Sequence, residues 1–190
     1  MKLNQQQPVT DTAGKCDVKV RLYQPADHAQ LQALHDRTPP GAGPSTTLQP
    51  WPSDLDHIRQ AYLAFWVAVE KSDTCEGNVV GMAGVETAGP DVPPTVLRGR
   101  SRVARLKRMR VAPERQRQGI GIRLTEAAIA WSCERGFSVL LLETTPQQTA
   151  AISLYEHAGF REVGRAMVGS FELIWFELAL ASPSSSTTEM

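Results

Sequence analysis

The residues best suited to chemistry lie in one segment, 106–124, which reads LKRMRVAPERQRQGIGIRL. Its pattern predicts a strand that ends at Val111, a turn, and a helix that begins near Ile120. The free backbone N–H groups at the start of such a helix, together with the positive end of its dipole, favour a phosphate group. Gly119 and Gly121 let the backbone approach an anion without a side chain in the way. Three arginines would add charge for further phosphates: Arg115, Arg117 and Arg123.

Two other kinds of nucleotide-binding site also contain a glycine-rich turn before a helix, and the sequence argues against both. Gly119-Ile-Gly121, with a following helix, a strand and Glu143, mimics a dinucleotide-binding βαβ unit. However, Leu124 stands where the third glycine belongs, and seven residues separate Val111 from Gly119. The preceding strand is also rich in Arg and Lys, whereas a central parallel strand is nearly all apolar. A nucleotide-hydrolysing P-loop is excluded because no Gly-Lys-Ser or Gly-Lys-Thr follows the glycines.

The cations of the chain are concentrated around this turn. Between Arg98 and Arg123 lie ten of the 20 lysines and arginines, opposed only by Glu114. Such a run is either a solvated basic face or the mark of a partner with several negative charges, a phosphorylated cofactor or a nucleic acid. No aromatic residue lies within it to stack on bases. The run therefore favours a cofactor, and we expect no nucleic-acid partner.

Three stretches, LKRMRV at 106–111, QRQGIG at 116–121 and LYEHAGF at 154–160, resemble the core motifs of the GCN5-related N-acetyltransferase (GNAT) family. The resemblance covers roughly residues 17–180 and includes the spacing of the motifs. It implies acetyl-CoA as cosubstrate, no metal, and direct transfer of the acetyl group to the primary amine of a small-molecule or peptide acceptor.

The elements read from the sequence agree with that family. Apolar alternation and apolar runs predict strands at 17–23, 64–70, 78–86, 101–111, 139–143, 163–164 and 171–180. Apolar stripes predict helices from residue 25, at 53–62, 120–135 and 148–158, with irregular segments at 38–52 and 87–99. The order mixes hairpins with βαβ crossovers, which predicts a mixed sheet. The expected fold class is therefore α/β (α+β), with about seven strands, helices on both faces and a bulge near 105–108. The resemblance further implies the acyl-CoA N-acyltransferase (GNAT) fold, with a splay between strands 103–111 and 138–143.

The resemblance also implies the residues that hold the cosubstrate. Backbone groups of Met109 and Val111 would pair with the acetyl and pantetheine parts, as an added strand pairs with an exposed edge. The amides of the glycine turn would hold the pyrophosphate. The complete implied set is Met109, Arg110, Val111, Gln116, Arg117, Gln118, Gly119, Ile120 and Gly121.

Acyl transfer to an amine also needs a proton acceptor and a proton donor. By resemblance, Tyr155 is the acid for the departing sulfur, although it can also be a packed aromatic residue. Many family members carry Glu where this chain has Arg105. Glu86 and Glu143, each at the end of a predicted strand, are the remaining bases, acting through water, or else ordinary surface charges. His157 is expected to point away.

Composition sets the remaining expectations. The chain has 190 residues with no net charge, which fits one domain over 17–180 between flexible segments at 1–16 and 181–190. No apolar run is long enough for a membrane span and no signal peptide is evident, which favours a cytoplasmic protein without a membrane partner. Residues 38–52, with Trp51, would cover the acceptor site, and the last strand is suited to pairing in a homodimer. The alternative function is a non-catalytic acyl-CoA-binding or sensing module.

Overall fold

The computed structural model of the chain describes residues 18–38, 53–71 and 77–181. Within them the strands are β1 (Val18–Leu22), β2 (Ala64–Glu70), β3 (Val79–Thr87), β4 (Val103–Val111), β5 (Val139–Thr144), β6 (Arg161–Val168) and β7 (Phe171–Ala179). The helices are α1 (His28–Arg37), α2 (Ser53–Asp56), α3 (Ile58–Ala61), α4 (Pro94–Leu97), α5 (Ile120–Glu134) and α6 (Thr149–His157). Short 3-10 turns occupy Pro25–Asp27 and Pro113–Arg115.

All seven strands form one mixed sheet in the order β1-β2-β3-β4-β5-β7-β6. β4 and β5 are parallel, and every other neighbouring pair is antiparallel. The βαβ crossover that makes this parallel pair runs through α5, the longest described helix. The predicted fold class is confirmed.

Glycines on β3 show that both faces of the sheet are covered. A Cβ atom at Gly81 would lie 3.1 Å from Leu124 and 3.2 Å from Ile120, so α5 packs closely on this face. A Cβ atom at Gly84 would lie 2.6 Å from the ring of Tyr62, the residue that follows α3. Because these two glycines occupy opposite sides of β3, α5 and the α2–α3 segment lie on opposite faces.

β4 and β5 separate along their length, as predicted. They pair only at Val103↔Val139, Ala104↔Leu140 and Arg105↔Leu141, although β4 continues to Val111. β4 also bulges: its register against β3 shifts between Met82 and Gly84, and Arg108 has φ +56°. The remainder of β4 therefore has no strand beside it on the β5 side within the described residues.

Two expectations about local structure were wrong. Segment 87–99 contains the short helix α4, which Pro94 starts at its first position. Val92 and Val96 pack in a second apolar cluster with Trp175, and this burial orders the segment. The helix expected at 53–62 is two short helices, α2 and α3.

Several predictions concern residues outside the described ranges. These are the two terminal segments, the proline-rich segment with Trp51, and the hairpin turn at 72–76. Among the described helices, none combines the length and apolar character that crossing a bilayer requires.

Candidate active site

The glycine turn before α5 has the backbone shape of an anion site. Gly119 has φ +78° and Arg117 has φ +63°, so left-handed residues alternate along the turn and direct backbone N–H groups toward one side. The Gln116 side chain donates to the Val111 carbonyl at 3.2 Å and fixes the turn to β4. α5 begins immediately afterwards, at Ile120, and adds its own free N–H groups. This part of the chain fits a pyrophosphate.

The two glycines of the turn have different roles. Gly119 supplies the left-handed conformation that caps α5, and a Cβ atom there would touch only Ile122, at 3.9 Å. Gly121 has an ordinary backbone, but its Cβ atom would lie 2.6 Å from Leu154 Cδ1. Gly121 therefore also allows α5 to approach α6, a packing role that the sequence did not indicate.

Five of the ten cations in the basic run are neutralised by carboxylates from distant parts of the chain. The pairs are Arg100 with Glu177 at 2.5 Å, Arg105 with Glu143 at 2.6 Å, Lys107 with Glu86 at 3.4 Å, Arg108 with Asp54 at 2.8 Å, and Arg115 with Glu70. The expectation that Arg115 adds charge for a phosphate therefore needs correction, since its guanidinium already has a partner. Arg117 and Arg123 are exposed beside the turn. Only this end of the run fits the predicted cofactor role.

Arg105, at the position of the expected Glu, is the centre of a charged cluster on the sheet. Its side chain is 5 % exposed and donates to both oxygens of Glu143, at 2.9 and 2.6 Å. It also donates to Asp91, lies 3.6 Å from Glu86, and stands 5.1 Å from the ring centre of Trp175. Burial alone would lower the pKa of Arg105, but Glu143 and Asp91 outweigh it and raise the pKa. The guanidinium is therefore permanently charged.

The two candidate bases have different surroundings. Both oxygens of Glu143 accept hydrogen bonds from Arg105. Glu86 lies opposite Arg105 in the register of β3 with β4, and its Oε1 atom is 3.4 Å from Lys107 Nζ. Burial raises the pKa of Glu86, and the charges of Lys107 and Arg105 only partly offset this. Glu86 thus combines a raised pKa with contacts of 3.4 and 3.6 Å to two cations, whereas Arg105 holds both oxygens of Glu143.

Tyr155 lies inside α6 and its side chain is buried. Its ring contacts that of Phe160, with centroids 5.9 Å apart. Burial raises the pKa of the hydroxyl, and the charge of Glu143 raises it further. The hydroxyl therefore remains protonated at neutral pH and senses the same carboxylate that Arg105 holds. His157, two residues later, is exposed.

A second cluster fixes the bulge of β4, and the sequence did not reveal it. Arg108 donates to both oxygens of Asp54, at 2.9 and 2.8 Å, and Tyr62 donates to the same carboxylate. The one available signal was the succession of cations inside a predicted central strand, because buried charges require partners.

Comparison with known proteins adds family evidence to this geometry. Residues 29–160 match the profile of a family described as the acetyltransferase (GNAT) family. N-acetyltransferase 8 of Homo sapiens is 32 % identical over 131 residues, which are 66 % of this chain and 51 % of that protein. The chain spans about half the length of this and the other vertebrate relatives that it matches.

Solved structures share the fold at low identity. The ribosomal-protein-S18-alanine N-acetyltransferase of Escherichia coli has a TM-score of 0.63 and 21 % identity, over 92 % of this chain and 100 % of that one. The NatC complex bound to Gag peptide and CoA contains a chain with a TM-score of 0.66 and 16 % identity, over 87 % of this chain and 99 % of that one. At these identities the likeness concerns the fold alone.

Proposed function

The chain belongs to the acetyltransferase (GNAT) family, and we propose that it moves an acetyl group from acetyl-CoA directly to a primary amine. One observation carries the proposal: within the described ranges no strand pairs with β4 on its β5 side from 106 to 111, and this edge leads into the turn at 116–121, whose backbone suits an anion. An extended pantetheine arm that ends in a pyrophosphate has the shape that such an edge and turn would hold.

The cosubstrate would be held mainly by backbone groups. Those of Met109, Arg110 and Val111 would meet the acetyl and pantetheine parts, and the amides of 116–121 would meet the pyrophosphate. Arg117 and Arg123, both exposed at this turn, would add positive charge. Acetyl-CoA supplies the activated thioester.

Glu86 is the preferred base. An unperturbed lysine-type amine has a pKa near ~10.4, so at neutral pH a group must accept its proton before it can attack. Glu86 has a raised pKa and is partly exposed, which suits it to take that proton through a water molecule. Glu143 is a weaker candidate because Arg105 already uses both of its oxygens.

Tyr155 would donate the proton that the departing sulfur needs. Burial raises the pKa of Tyr155, so its hydroxyl enters the reaction protonated at neutral pH and able to donate a hydrogen bond. Its first task is a hydrogen bond to the sulfur as negative charge develops there. The Tyr155 hydroxyl is affected by the charge of Glu143, which belongs to the same charged cluster as Glu86, the proposed base.

Thermal unfolding tests the cosubstrate before any acceptor is known. We would measure Tm with acetyl-CoA, CoA, NAD and ADP, each at about 1 mM. A dissociation constant near ~10 μM would raise the free energy of unfolding by about 2.7 kcal/mol. For a domain of this size Tm would rise roughly 5–10 °C. An equal or larger shift with NAD would contradict the proposal, as would no shift with either CoA species.

Thiol release with a panel of amines then separates catalysis from binding alone. We expect release above the rate of acetyl-CoA hydrolysis with at least one amine. The alternative, a non-catalytic acyl-CoA-binding module, has its support in Arg105, which stands where many family members carry a carboxylate. Tight acetyl-CoA binding without thiol release from any amine would favour that alternative.

A further inference from the structure

Arg110 differs from the other cations of β4 in having no carboxylate. Arg105, Lys107 and Arg108 all form ion pairs, whereas Arg110 donates only to the Thr38 carbonyl among the described residues. A guanidinium has five N–H donors. The Nη1 group makes that single bond, so most of the donors of Arg110 remain available for a ligand.

Among the described residues, no carboxylate forms an ion pair with Arg110. Both oxygens of Asp54 are used by Arg108, and Tyr62 donates to one of them as well. Residues 39–52, which continue from Thr38, contain no Asp or Glu. Arg110 is nevertheless half-buried, and this burial together with the charge of Arg108 lowers its pKa to about 10. A half-buried cation without a counter-charge is costly in the free protein, and an anion from outside would relieve the cost.

The face of the sheet on which Arg110 lies indicates which ligand its positive charge would meet, namely the acceptor. Arg110 pairs with Met82 on β3, and the next residue, Val111, pairs with Gly81. Because Gly81 faces α5, the side chain of Arg110 points to the opposite face, where Glu86 and Arg105 also meet. Arg110 thus shares with Glu86 the sheet face opposite α5, the face on which an amine would meet the proposed base.

We propose that Arg110 is an anion subsite for the acceptor, so that the acceptor is a small amine that also carries a carboxylate. This inference rests on the proposed acetyl transfer. A guanidinium binds a carboxylate through two parallel hydrogen bonds, which fixes the orientation of the ligand as well as its charge. Arg108 contributes positive potential without binding, since its own donors are committed to Asp54 and Tyr62. The subsite would favour amino-acid-like molecules over polyamines and neutral amines.

Matched acceptors test this directly. Thiol release would be measured with L-amino acids and with the amides of the same amino acids, which lack the carboxylate but keep the amine. We expect kcat/KM to favour the acid over its amide by about tenfold or more, the size of one charge-assisted bidentate contact. In Arg110→Gln this ratio should fall toward one, mainly through KM, and Arg110→Lys should restore part of it. Arg98→Gln, which removes an exposed cation from the same run, should leave the ratio unchanged.

The outcomes separate the two proposals. Thiol release from amides or polyamines that equals or exceeds release from the acids would overturn the subsite and leave acetyl transfer standing. An acid preference that survives in Arg110→Gln would also overturn it. Failure of acetyl-CoA to bind, or of every amine to release thiol, would refute the proposed function itself. Because the acid-to-amide ratio is taken within one protein, a general loss of activity in a variant does not change it.

Discussion

A single substitution in the ion pair between Arg108 and Asp54 should disturb the bulge of β4, in the part of the sheet where β4 and β5 have separated. Arg108 has φ +56° at the bulge of β4, one residue before Met109, and Asp54 holds its guanidinium through two hydrogen bonds. Asp54→Asn keeps the shape of the side chain and removes its charge. Arg108 is then left half-buried without a counter-charge, and the unusual backbone loses the contact that fixes it.

The size of the effect follows from burial. Loss of one partner from a fully buried ion pair costs about 3–5 kcal/mol, whereas an exposed pair contributes about 0–1 kcal/mol. The two side chains are 18 % and 27 % exposed, so we expect Asp54→Asn to cost about 1–3 kcal/mol. Tm would fall by roughly 3–10 °C for a domain of this size.

Urea unfolding of Asp54→Asn, Arg108→Gln and the double variant gives the coupling energy of the pair. We expect a coupling of about 1 kcal/mol or more; a value below ~0.3 kcal/mol, which is what independent sites give, would refute the reasoning. Glu162→Gln, which breaks an exposed pair with Arg165, is the control and should leave Tm nearly unchanged.

Acid titration checks the same pair independently. Burial would raise the pKa of Asp54, but the hydrogen bonds from Arg108 and Tyr62 outweigh burial and lower it. A carboxyl with a lowered folded pKa contributes stability above its unfolded pKa, near ~3.9, and loses it as pH falls through the folded value. The wild type should therefore lose more stability below about pH 4 than Asp54→Asn does. Parallel acid curves for the two proteins would contradict this.

Three further predictions concern the reaction and its cosubstrate. Tyr155→Phe should lower the turnover of thiol release at least tenfold, with acetyl-CoA affinity nearly unchanged, because it removes the proton donor and keeps the ring; equal turnover would remove Tyr155 from the mechanism. Glu86→Gln should lower kcat/KM more than Glu143→Gln does. It should also remove the low-pH limb of the wild-type plot of kcat/KM against pH, and that limb should lie above the range of an ordinary Glu because the pKa of Glu86 is raised. A low-pH limb that persists in Glu86→Gln would exclude Glu86 as the base. Gly119→Ala should weaken acetyl-CoA binding and cost about 1 kcal/mol of stability, since a left-handed conformation is strained for alanine; unchanged Tm shifts with acetyl-CoA would show that the turn does not hold the cosubstrate.

Much of the scaffold follows from patterns that are local in the sequence. Period-two alternation predicted β1, and the helical stripe predicted α5. Gly136 and Gly159, with φ +71° and +91°, follow the ends of α5 and α6 in the left-handed conformation that is typical of helix ends. The bulge of β4 was visible because the alternation slips near 105–108. The β6 strand was underestimated, since an edge strand that is mostly exposed has little apolar pattern to detect.

The charge partners of the site follow no local pattern. Arg105 and Glu143 are 38 residues apart, Arg108 and Asp54 are 54 apart, and Arg100 and Glu177 are 77 apart. Sequence analysis found only Glu114 opposing the basic run because it could compare only near neighbours. The tertiary fold brings the partners together, and it thereby changes the interpretation of five of the ten cations from cofactor binding to internal neutralisation.

Arg105 shows how the sheet compensates for the expected glutamate. The register places Glu86 directly opposite Arg105 on β3, about 5 Å away in the hydrogen-bonding direction. A carboxylate one strand over therefore remains available on the same face, while Arg105 neutralises Glu143 and connects it to Asp91. Without the arginine, the negative charges of Glu86, Asp91 and Glu143 would repel one another. Arg105 thus leaves Glu86 as a carboxylate with a raised pKa on this face of the sheet, a property that suits the base that we propose for amine acetylation.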